Sequence, residues 1–267
     1  MTGRPFPESV VSGNWTPVVS GESGDRVYRR ADGGAYAKIA AGPRAALLEG
    51  ERHRIAWLSD RGIAAPRVLD WTASDGESCL VMSVLPGVPA STLPVADLER
   101  AWSSIAACLR ELHKLPTADC PFDRGLARMF AWAEDVVSRA AVNPDFLDPA
   151  DRNVPSRQLL DALRPTLARR LVQESADRVV CHGDACLPNF MVDPDTLRCT
   201  GMIDLGRLGA ADPYADLSLL LANARESWSS PEQTRDARER LFACHGIDVP
   251  DEGRLDFYLR LDPLTWG

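Results

Sequence analysis

Residues 178–211 read RVVCHGDACLPNFMVDPDTLRCTGMIDLGRLGAA. Its polar residues follow short apolar runs: His182-Gly-Asp184 comes first, Asn189 follows after four residues, and Asp204 stands fifteen residues further on. A short loop between strands can aim Asp184 and Asn189 in different directions, and Asp204 can then complete a metal site. One carboxylate would meet a substrate hydroxyl, while the amide oxygen and the second carboxylate would hold Mg²⁺ against nucleotide phosphates.

This order of residues matches the layout of a protein-kinase active site, in which His-x-Asp-x4-Asn precedes a strand that ends in Asp-Phe-Gly. The stretch resembles the aminoglycoside phosphotransferase family, which has His-Gly-Asp and Ile-Asp-x-Gly at these two places. The resemblance extends over nearly the whole chain. Four segments look like the 3''-phosphotransferases that act on streptomycin: Val180–Asp184, Pro188–Pro194, Ile203–Gly209 and Phe257–Gly267.

The segment Pro86-Gly-Val-Pro89 is the best candidate for a boundary within the chain. Segments of strand type with one helix precede it, and nearly everything after it has a helical pattern. The resemblance implies an α+β, protein-kinase-like fold with two lobes. We therefore expect a small, mainly β, nucleotide-binding lobe at residues 1–85 and a larger, mainly helical, catalytic and substrate-binding lobe at residues 86–267.

Two short alternating runs, Arg26–Arg30 and Ala35–Ala40, flank a Gly-rich turn and predict a β-hairpin. Lys38 lies on the second strand. A single lysine on a strand is normally a solvated edge residue, but the residues beside it resemble the Val-Ala-Ile-Lys strand of kinases. The resemblance implies that Lys38 binds the α- and β-phosphates of ATP.

Helical spacing of apolar residues over Arg44–Arg61 places Glu51 within a helix that Gly62 ends. On the residues alone, Glu51 is an exposed helical glutamate that pairs with a neighbouring arginine. The resemblance instead implies that Glu51 orients Lys38, with Glu49 as the lower-ranked alternative.

Two further segments are candidates for nucleotide contacts. Ser20–Asp25 contains Gly and Ser, which most often mark turns, but before a strand pair it looks like a shortened phosphate-covering loop, with Ser23 as its contact. Ser83 and Leu85 end the last strand before the boundary. In a kinase this segment hydrogen-bonds the adenine, so we expect both residues to line the base pocket, although an edge strand and a turn would give the same local structure.

Apolar stripes predict a series of helices after the boundary. They cover residues 97–115, 124–139, 156–174, 212–228, 231–245 and 251 to about 261. His113, near the end of the first, is interpreted as a capping or surface residue. His182 is expected to support the catalytic loop from behind, and Asp216 to be buried against that loop as an anchor.

The resemblance also implies a cleft lined by carboxylates, because aminoglycosides carry several positive charges. Asp262 aligns with an acidic residue that the family uses on aminoglycoside amines. Related kanamycin kinases have an Arg-Asp pair where this chain has Ala222-Asn223, with Arg225-Glu226 just beyond, and this difference favours streptomycin. The candidate substrate contacts are therefore Asp184, Asn223, Glu226 and Asp262, with Asp148 as a further acidic candidate.

The composition limits the class of partner. The formal net charge is −8, so general binding of nucleic acid is not expected; the acidity would suit a cationic ligand, although solubility is the stronger explanation.

No run is long and apolar enough to span a bilayer, and Met1–Pro17 has no apolar core of the signal-peptide type. Seven scattered cysteines suit a reducing cytoplasm. We expect a cytoplasmic monomer with no membrane or nucleic-acid partner.

Together these features predict a kinase that uses ATP and Mg²⁺ to phosphorylate a hydroxyl of streptomycin and so inactivates the antibiotic. Asp184 is the candidate catalytic base, and Asn189 and Asp204 are the candidate metal ligands. The catalytic-loop motifs alone leave open another kinase of the same fold that acts on choline, homoserine or a hexosyl-amine. A nucleotide-binding scaffold without turnover is the alternative from another class, but such proteins typically lack one of these three residues.

Overall fold

The computed structural model describes residues 14–18, 25–74 and 76–267, and the chain divides into two compact units. The first consists of the described residues up to Gly87 together with Thr200–Gly206. The second consists of Val88–Cys199 and Arg207–Gly267. The chain therefore leaves the first unit and returns to it once, for seven residues that end two positions after Asp204.

The first unit is an antiparallel sheet with one helix. Its elements are β1 (Trp15–Val18), β2 (Arg26–Arg30), β3 (Ala35–Ala41), α1 (Pro43–Ser59), β4 (Val68–Ser74) and β5 (Glu77–Ser83). The strand order is β1-β2-β3-β5-β4. The predicted hairpin is confirmed, because β2 pairs with β3 and Val27 lies opposite Lys38.

Alternation along β3 separates its side chains onto two faces of the sheet. Ala35, Ala37 and Ile39 are buried in an apolar cluster with residues of β5. Lys38 therefore lies on the opposite face. Helix α1 packs against β3 and β5, and its buried residues are Leu48, Glu51, Ile55 and Leu58. Glu51 thus occupies a position in the core-facing stripe of α1, and the interpretation of Glu51 as an exposed glutamate is wrong.

The second unit is mainly helical. Its elements are β6 (Val88–Pro89), α2 (Val95–His113), α3 (Leu126–Ser138), α4 (Ser156–Asp177), β7 (Val179–Cys181), β8 (Phe190–Val192), β10 (Gly209–Ala211), α5 (Pro213–Arg225), α6 (Pro231–His245) and α7 (Glu252–Leu261). Strand β9 (Cys199–Met202) begins at the last residue of this unit's first segment. Strand β7 pairs with β10, and β6 pairs with β8, both antiparallel.

Helix α2 buries one face within this unit. Its predicted apolar stripe is buried, and it consists of Leu98, Trp102, Ile105, Leu109 and Leu112. The indole N–H of Trp102 donates to the carbonyl of Ala237 in α6 at 2.7 Å, so the large ring is buried without an unmet donor. The predicted helices are present, and their ends differ from the prediction by at most three residues. Within the described ranges, none of the helices has both the length and the apolarity needed to cross a membrane.

Candidate active site

The catalytic loop of the second unit begins where β7 ends and continues through His182-Gly-Asp184. Asp216 holds its backbone, because the carboxylate accepts hydrogen bonds from the N–H groups of His182 (2.7 Å) and Gly183 (2.8 Å). Asp216 lies in the first turn of α5 and is fully buried. The predicted anchoring of the loop by Asp216 is confirmed.

A second buried side chain supports this anchor. Nε2 of His113, at the end of α2, lies 3.0 Å from Oδ2 of Asp216. Burial would raise the pKa of Asp216, but the hydrogen bond with His113 and the nearby His113 and His182 rings lower the pKa overall. His113 is only 8% exposed, so its interpretation as a surface residue is wrong. His182 is fully buried and stacks on Phe190, in agreement with its expected structural role.

Gly183 is required by the packing around the loop. Its φ angle is +81°, and a Cβ atom there would lie 2.2 Å from the carbonyl oxygen of Arg207 and 2.5 Å from Nε of Arg124. Backbone cannot move aside as a flexible side chain can, so any larger residue would displace the loop. The loop is therefore fixed by hydrogen bonds on one side and by close contact on the other.

Asn189 and Asp184 are brought together by two hydrogen bonds. The amide nitrogen of Asn189 donates to the backbone carbonyl of Asp184 (2.8 Å) and to its Oδ2 (3.0 Å). Because the nitrogen is committed to Asp184, the amide oxygen is the atom of Asn189 that can face a cation. Burial and the charge of Asp184 raise the pKa of the neighbouring Cys186 thiol, so Cys186 stays protonated and donates to Asp184.

Asn223 supports the same segment from α5. Its side-chain oxygen accepts a hydrogen bond from the backbone N–H of Leu187 at 2.8 Å. The carbonyl end of this predicted substrate contact is therefore engaged within the unit, and its amide nitrogen is the end that can donate to a ligand. Glu226 follows α5 and is exposed.

The first unit contains the predicted lysine–glutamate pair. Nζ of Lys38 lies 2.9 Å from Oε2 of Glu51, 3.3 Å from Oδ1 of Asp204 and 3.8 Å from Oδ2 of Asp25. Burial alone would lower the pKa of Lys38, but the charges of Glu51, Asp204 and Asp25 raise it above its ordinary value. Lys38 is therefore charged, and Glu49 contacts Arg52 instead.

Asp204 has a left-handed backbone, with φ of +58°. Such a conformation is uncommon for residues other than glycine and is often found at functional positions. Upstream, Gly201 has φ of +144°, a Cβ there would lie 2.2 Å from the carbonyl oxygen of Ala64, and Met202 N–H donates to that same oxygen. These contacts fix the end of strand β9 within the first unit, just before Asp204. The Asp204 side chain is 43% exposed.

The other predicted nucleotide contacts are Ser23, Ser83 and Leu85. Ser23 lies outside the described residues. Ser83 hydrogen-bonds to Arg67 through both its backbone N–H and its hydroxyl, each at 2.9 Å. Leu85 is half-buried. The backbone N–H of Ser83 is therefore committed within the unit, and Leu85 is the better candidate for hydrogen bonding to a base.

Asp262 is engaged by other side chains of the second unit. It accepts hydrogen bonds from Nε1 of Trp266 (3.0 Å) and Nη2 of Arg124 (3.5 Å), and Arg207 lies 3.8 Å away. The Arg207 guanidinium stacks on the Trp266 ring at 3.3 Å from its centroid and donates to Thr265. Asp262 therefore has a structural role that the sequence did not indicate.

His113, Cys181 and Asp216 place ligand atoms within 4.8 Å of one another, yet Cys181 and Asp216 also bond to groups outside this trio. The Cys181 thiol donates to the Asp212 carbonyl, and both Asp216 oxygens accept N–H bonds. Their contacts favour a polar core over a metal centre. The sequence also missed Asp25, Arg124 and Arg207, whose partners are distant in the chain and leave no local pattern.

Residues 14–258 match the phosphotransferase enzyme family. The chain is 52% identical to the streptomycin 3''-kinase of Streptomyces griseus, over 100% of both chains. It is also 37% identical to an aminoglycoside 3'-phosphotransferase of Streptomyces fradiae. That match covers 93% of this chain and 94% of the relative.

A solved structure gives the same result for the fold. Aminoglycoside phosphotransferase APH(3'')-Id from Streptomyces rimosus, in complex with ADP and streptomycin, has a TM-score of 0.89 and 50% identity, over 95% of this chain and 93% of that one. This likeness confirms the predicted α+β, kinase-like fold.

Proposed function

The chain belongs to the phosphotransferase enzyme family, and we propose that it transfers the γ-phosphoryl group of ATP to the 3''-hydroxyl of streptomycin. Phosphorylation inactivates the antibiotic, so the enzyme confers resistance. The observation that supports this most is the full-length similarity to a streptomycin 3''-kinase. The candidate base Asp184 and the buried Asp216 that anchors its loop give that similarity a chemical basis.

Asp184 is the proposed catalytic base. The acceptor hydroxyl hydrogen-bonds to its carboxylate, and the hydroxyl oxygen attacks the γ-phosphorus. The bond from that phosphorus to the β–γ bridging oxygen breaks, ADP leaves, and the hydroxyl proton passes to Asp184. Because Asn189 bonds both to the backbone and to Oδ2 of Asp184, it keeps the carboxylate in one orientation.

Asn189 and Asp204 are the proposed ligands of Mg²⁺. Their donor atoms are an amide oxygen and a carboxylate, the oxygen donors that this cation prefers. The committed amide nitrogen of Asn189 and the exposed carboxylate of Asp204 fit this role. When bound, Mg²⁺ would neutralise negative charge on the nucleotide phosphates.

The first unit supplies the other proposed nucleotide contacts. Lys38 binds the α- and β-phosphates through its charged amine, and Glu51 keeps the amine in place. Ser23 would contact the phosphates. Leu85 would contact the adenine, and Ser83 would line the same base pocket. We therefore propose residues 1–85 as the nucleotide-binding lobe and residues 86–267 as the catalytic and substrate-binding lobe.

Streptomycin carries guanidinium groups, which form strong hydrogen bonds with carboxylates. Glu226 is the better-suited of the acidic candidates, because its side chain is exposed. Asp148 is also exposed, although its Oδ1 accepts from Ala150 N–H. Asn223 would add an amide donor. Asp262 could bind the substrate only if it gave up a hydrogen bond that it now makes with Trp266 or Arg124.

An acceptor panel tests this function. ADP release is measured with ATP, Mg²⁺ and, in turn, streptomycin, kanamycin, choline and homoserine, and the streptomycin product is located by NMR. We expect turnover with streptomycin and a phosphate at the 3'' position. Asp184→Asn should retain ADP binding and lose about 10²-fold or more in kcat. Turnover only with choline or homoserine would assign the chain to another kinase of this fold, and binding without turnover would make it a scaffold.

We further propose that the enzyme acts as a monomer in the cytoplasm, where ATP is present. Light scattering of the purified protein measures its mass directly. A dimer at the concentrations used for the kinetic assay would contradict the monomer.

A further inference from the structure

Asp25 belongs to the charged cluster around Lys38, although neither the motif nor the hairpin pattern indicated it. Oδ1 of Asp25 lies 2.8 Å from Nε of Arg44, and Oδ2 lies 3.8 Å from Nζ of Lys38. Only 10% of the Asp25 side chain is exposed. We propose that Asp25 opposes the binding of metal-free nucleotide, so that the pocket selects the magnesium complex of the nucleotide.

The position of Asp25 follows from the pairing of β2 and β3. Val27 lies opposite Lys38, and successive side chains of a strand point to opposite faces. Asp25 precedes Val27 by two residues and therefore shares the face of the sheet that carries Lys38. It also ends the segment Ser20–Asp25, the candidate phosphate-covering loop in the sequence.

The charges of the cluster do not balance. By formal charge, Asp25, Glu51 and Asp204 are three carboxylates, whereas Lys38 and Arg44 are two cations, so the group carries one formal net negative charge. Glu51 is required to hold the lysine, and Asp204 is the proposed metal ligand. Asp25 is thus the carboxylate that neither of these two roles explains.

The negative charge of Asp25 acts differently on ligands of different charge. Metal-free ADP carries about three negative charges at neutral pH and its magnesium complex about one, so the repulsion from Asp25 falls mainly on the metal-free form. The low exposure of Lys38 and Asp25 limits screening by water and salt. This inference rests on the proposed phosphate-binding role of Lys38.

The test is calorimetric binding of ADP, with either excess Mg²⁺ or EDTA present, to the wild type and to Asp25→Asn. Asparagine keeps the size of the side chain and removes its charge. We expect metal-free ADP to bind about tenfold more tightly to the variant and the magnesium complex about twofold more tightly. Asp32→Asn is the matched control, because this exposed aspartate in the β2–β3 turn pairs with Arg30; its two affinities should equal those of the wild type.

Arg44→Gln provides an independent arm if Asp25→Asn folds poorly. It removes one of the two cations, so metal-free ADP should bind more weakly to it by a larger factor than the magnesium complex. Equal factors for the two ligand forms in both variants would overturn the proposal. Weaker binding of the magnesium complex alone to Asp25→Asn would also overturn it, by making Asp25 a metal ligand.

The same titrations separate this inference from the proposed function. If the wild type binds neither form of ADP, or if Lys38→Met binds both forms as the wild type does, the nucleotide-binding role has failed. If Lys38→Met binds both forms weakly while Asp25→Asn equals the wild type, only the inference about Asp25 has failed.

Discussion

Nε2 of His113 lies 3.0 Å from the carboxylate of Asp216, and both side chains are buried. The same carboxylate accepts from two backbone N–H groups of the catalytic loop. His113, on α2, therefore reaches the catalytic loop through Asp216.

We expect His113→Ala to lower the free energy of unfolding by about 1–3 kcal/mol, because it leaves a buried carboxylate short of one partner. It should also lower kcat more than it raises the KM for ATP, since the loop that carries Asp184 loses support. Urea unfolding and steady-state kinetics measure the two effects. His53→Ala is the control, because His53 is exposed on α1. An unchanged kcat would show that Asp216 holds the loop without His113.

His245 should make stability depend on pH. Burial, the nearby His113 and Arg110 lower the pKa of His245, whereas the Leu241 carbonyl and Asp216 raise it; the net result is a pKa of about 4, against an ordinary value of 6.5. Between the two values the unfolded chain binds more protons, so this contribution to stability is complete above pH 6.5 and is lost as the pH falls toward 4. The loss is at most about 2 kcal/mol at pH 5.

His245→Gln removes this titration. Urea midpoints measured from pH 7.5 to pH 5 should fall less steeply for the variant than for the wild type, and His53→Gln should follow the wild type. Parallel curves for the wild type and His245→Gln would mean that His245 is protonated as easily in the folded protein as in the unfolded chain.

Asn189→Ala and Asp204→Ala should differ in their response to magnesium. Both should raise the Mg²⁺ concentration needed for half-maximal turnover. Excess Mg²⁺ should partly restore Asn189→Ala and barely help Asp204→Ala, because a carboxylate neutralises the dication whereas an amide only completes its coordination. Magnesium titrations of kcat/KM measure this, and equal recovery of both variants would count against the assigned roles.

Asp262→Ala should lower stability in addition to any effect on substrate. The side chain accepts from Trp266 and pairs with Arg124, a buried guanidinium whose Nε and Nη1 already lack a partner within the described residues. We expect a loss of about 1–3 kcal/mol by urea unfolding, against no loss in Asp256→Ala, an exposed aspartate that pairs with Arg260. A raised KM for streptomycin at unchanged stability would instead make Asp262 a substrate contact with little structural role.

The sequence predicted elements and residues whose physical signal is local. The apolar stripe of α2 and the alternating strands around Lys38 repeat over a few residues, so their periods can be read directly. The Lys38–Glu51 pair came from resemblance, and the structure explains it: Glu51 occupies a position in the buried stripe of α1.

What the sequence did not predict depends on contacts between distant residues. His113 has the same local pattern whether it is exposed or bonded to a carboxylate 103 residues away. Asp262 was judged by alignment with a family position, which carries no information on Arg124, 138 residues earlier in the chain. Asp25 follows a Gly-rich segment that indicates only a turn, so its place beside Lys38 appears only once the strands are paired.

The return of Thr200–Gly206 to the first unit limits how this protein can exchange parts with its relatives. A chimaera that replaced only the amino-terminal residues up to Gly87 would retain the native Gly201 and Met202, but a foreign chain would then set the position of the backbone carbonyl oxygen that they meet at Ala64. Recombination would have to carry both segments to preserve that fit. The first unit should therefore be exchanged as two pieces of sequence together rather than as one amino-terminal cassette.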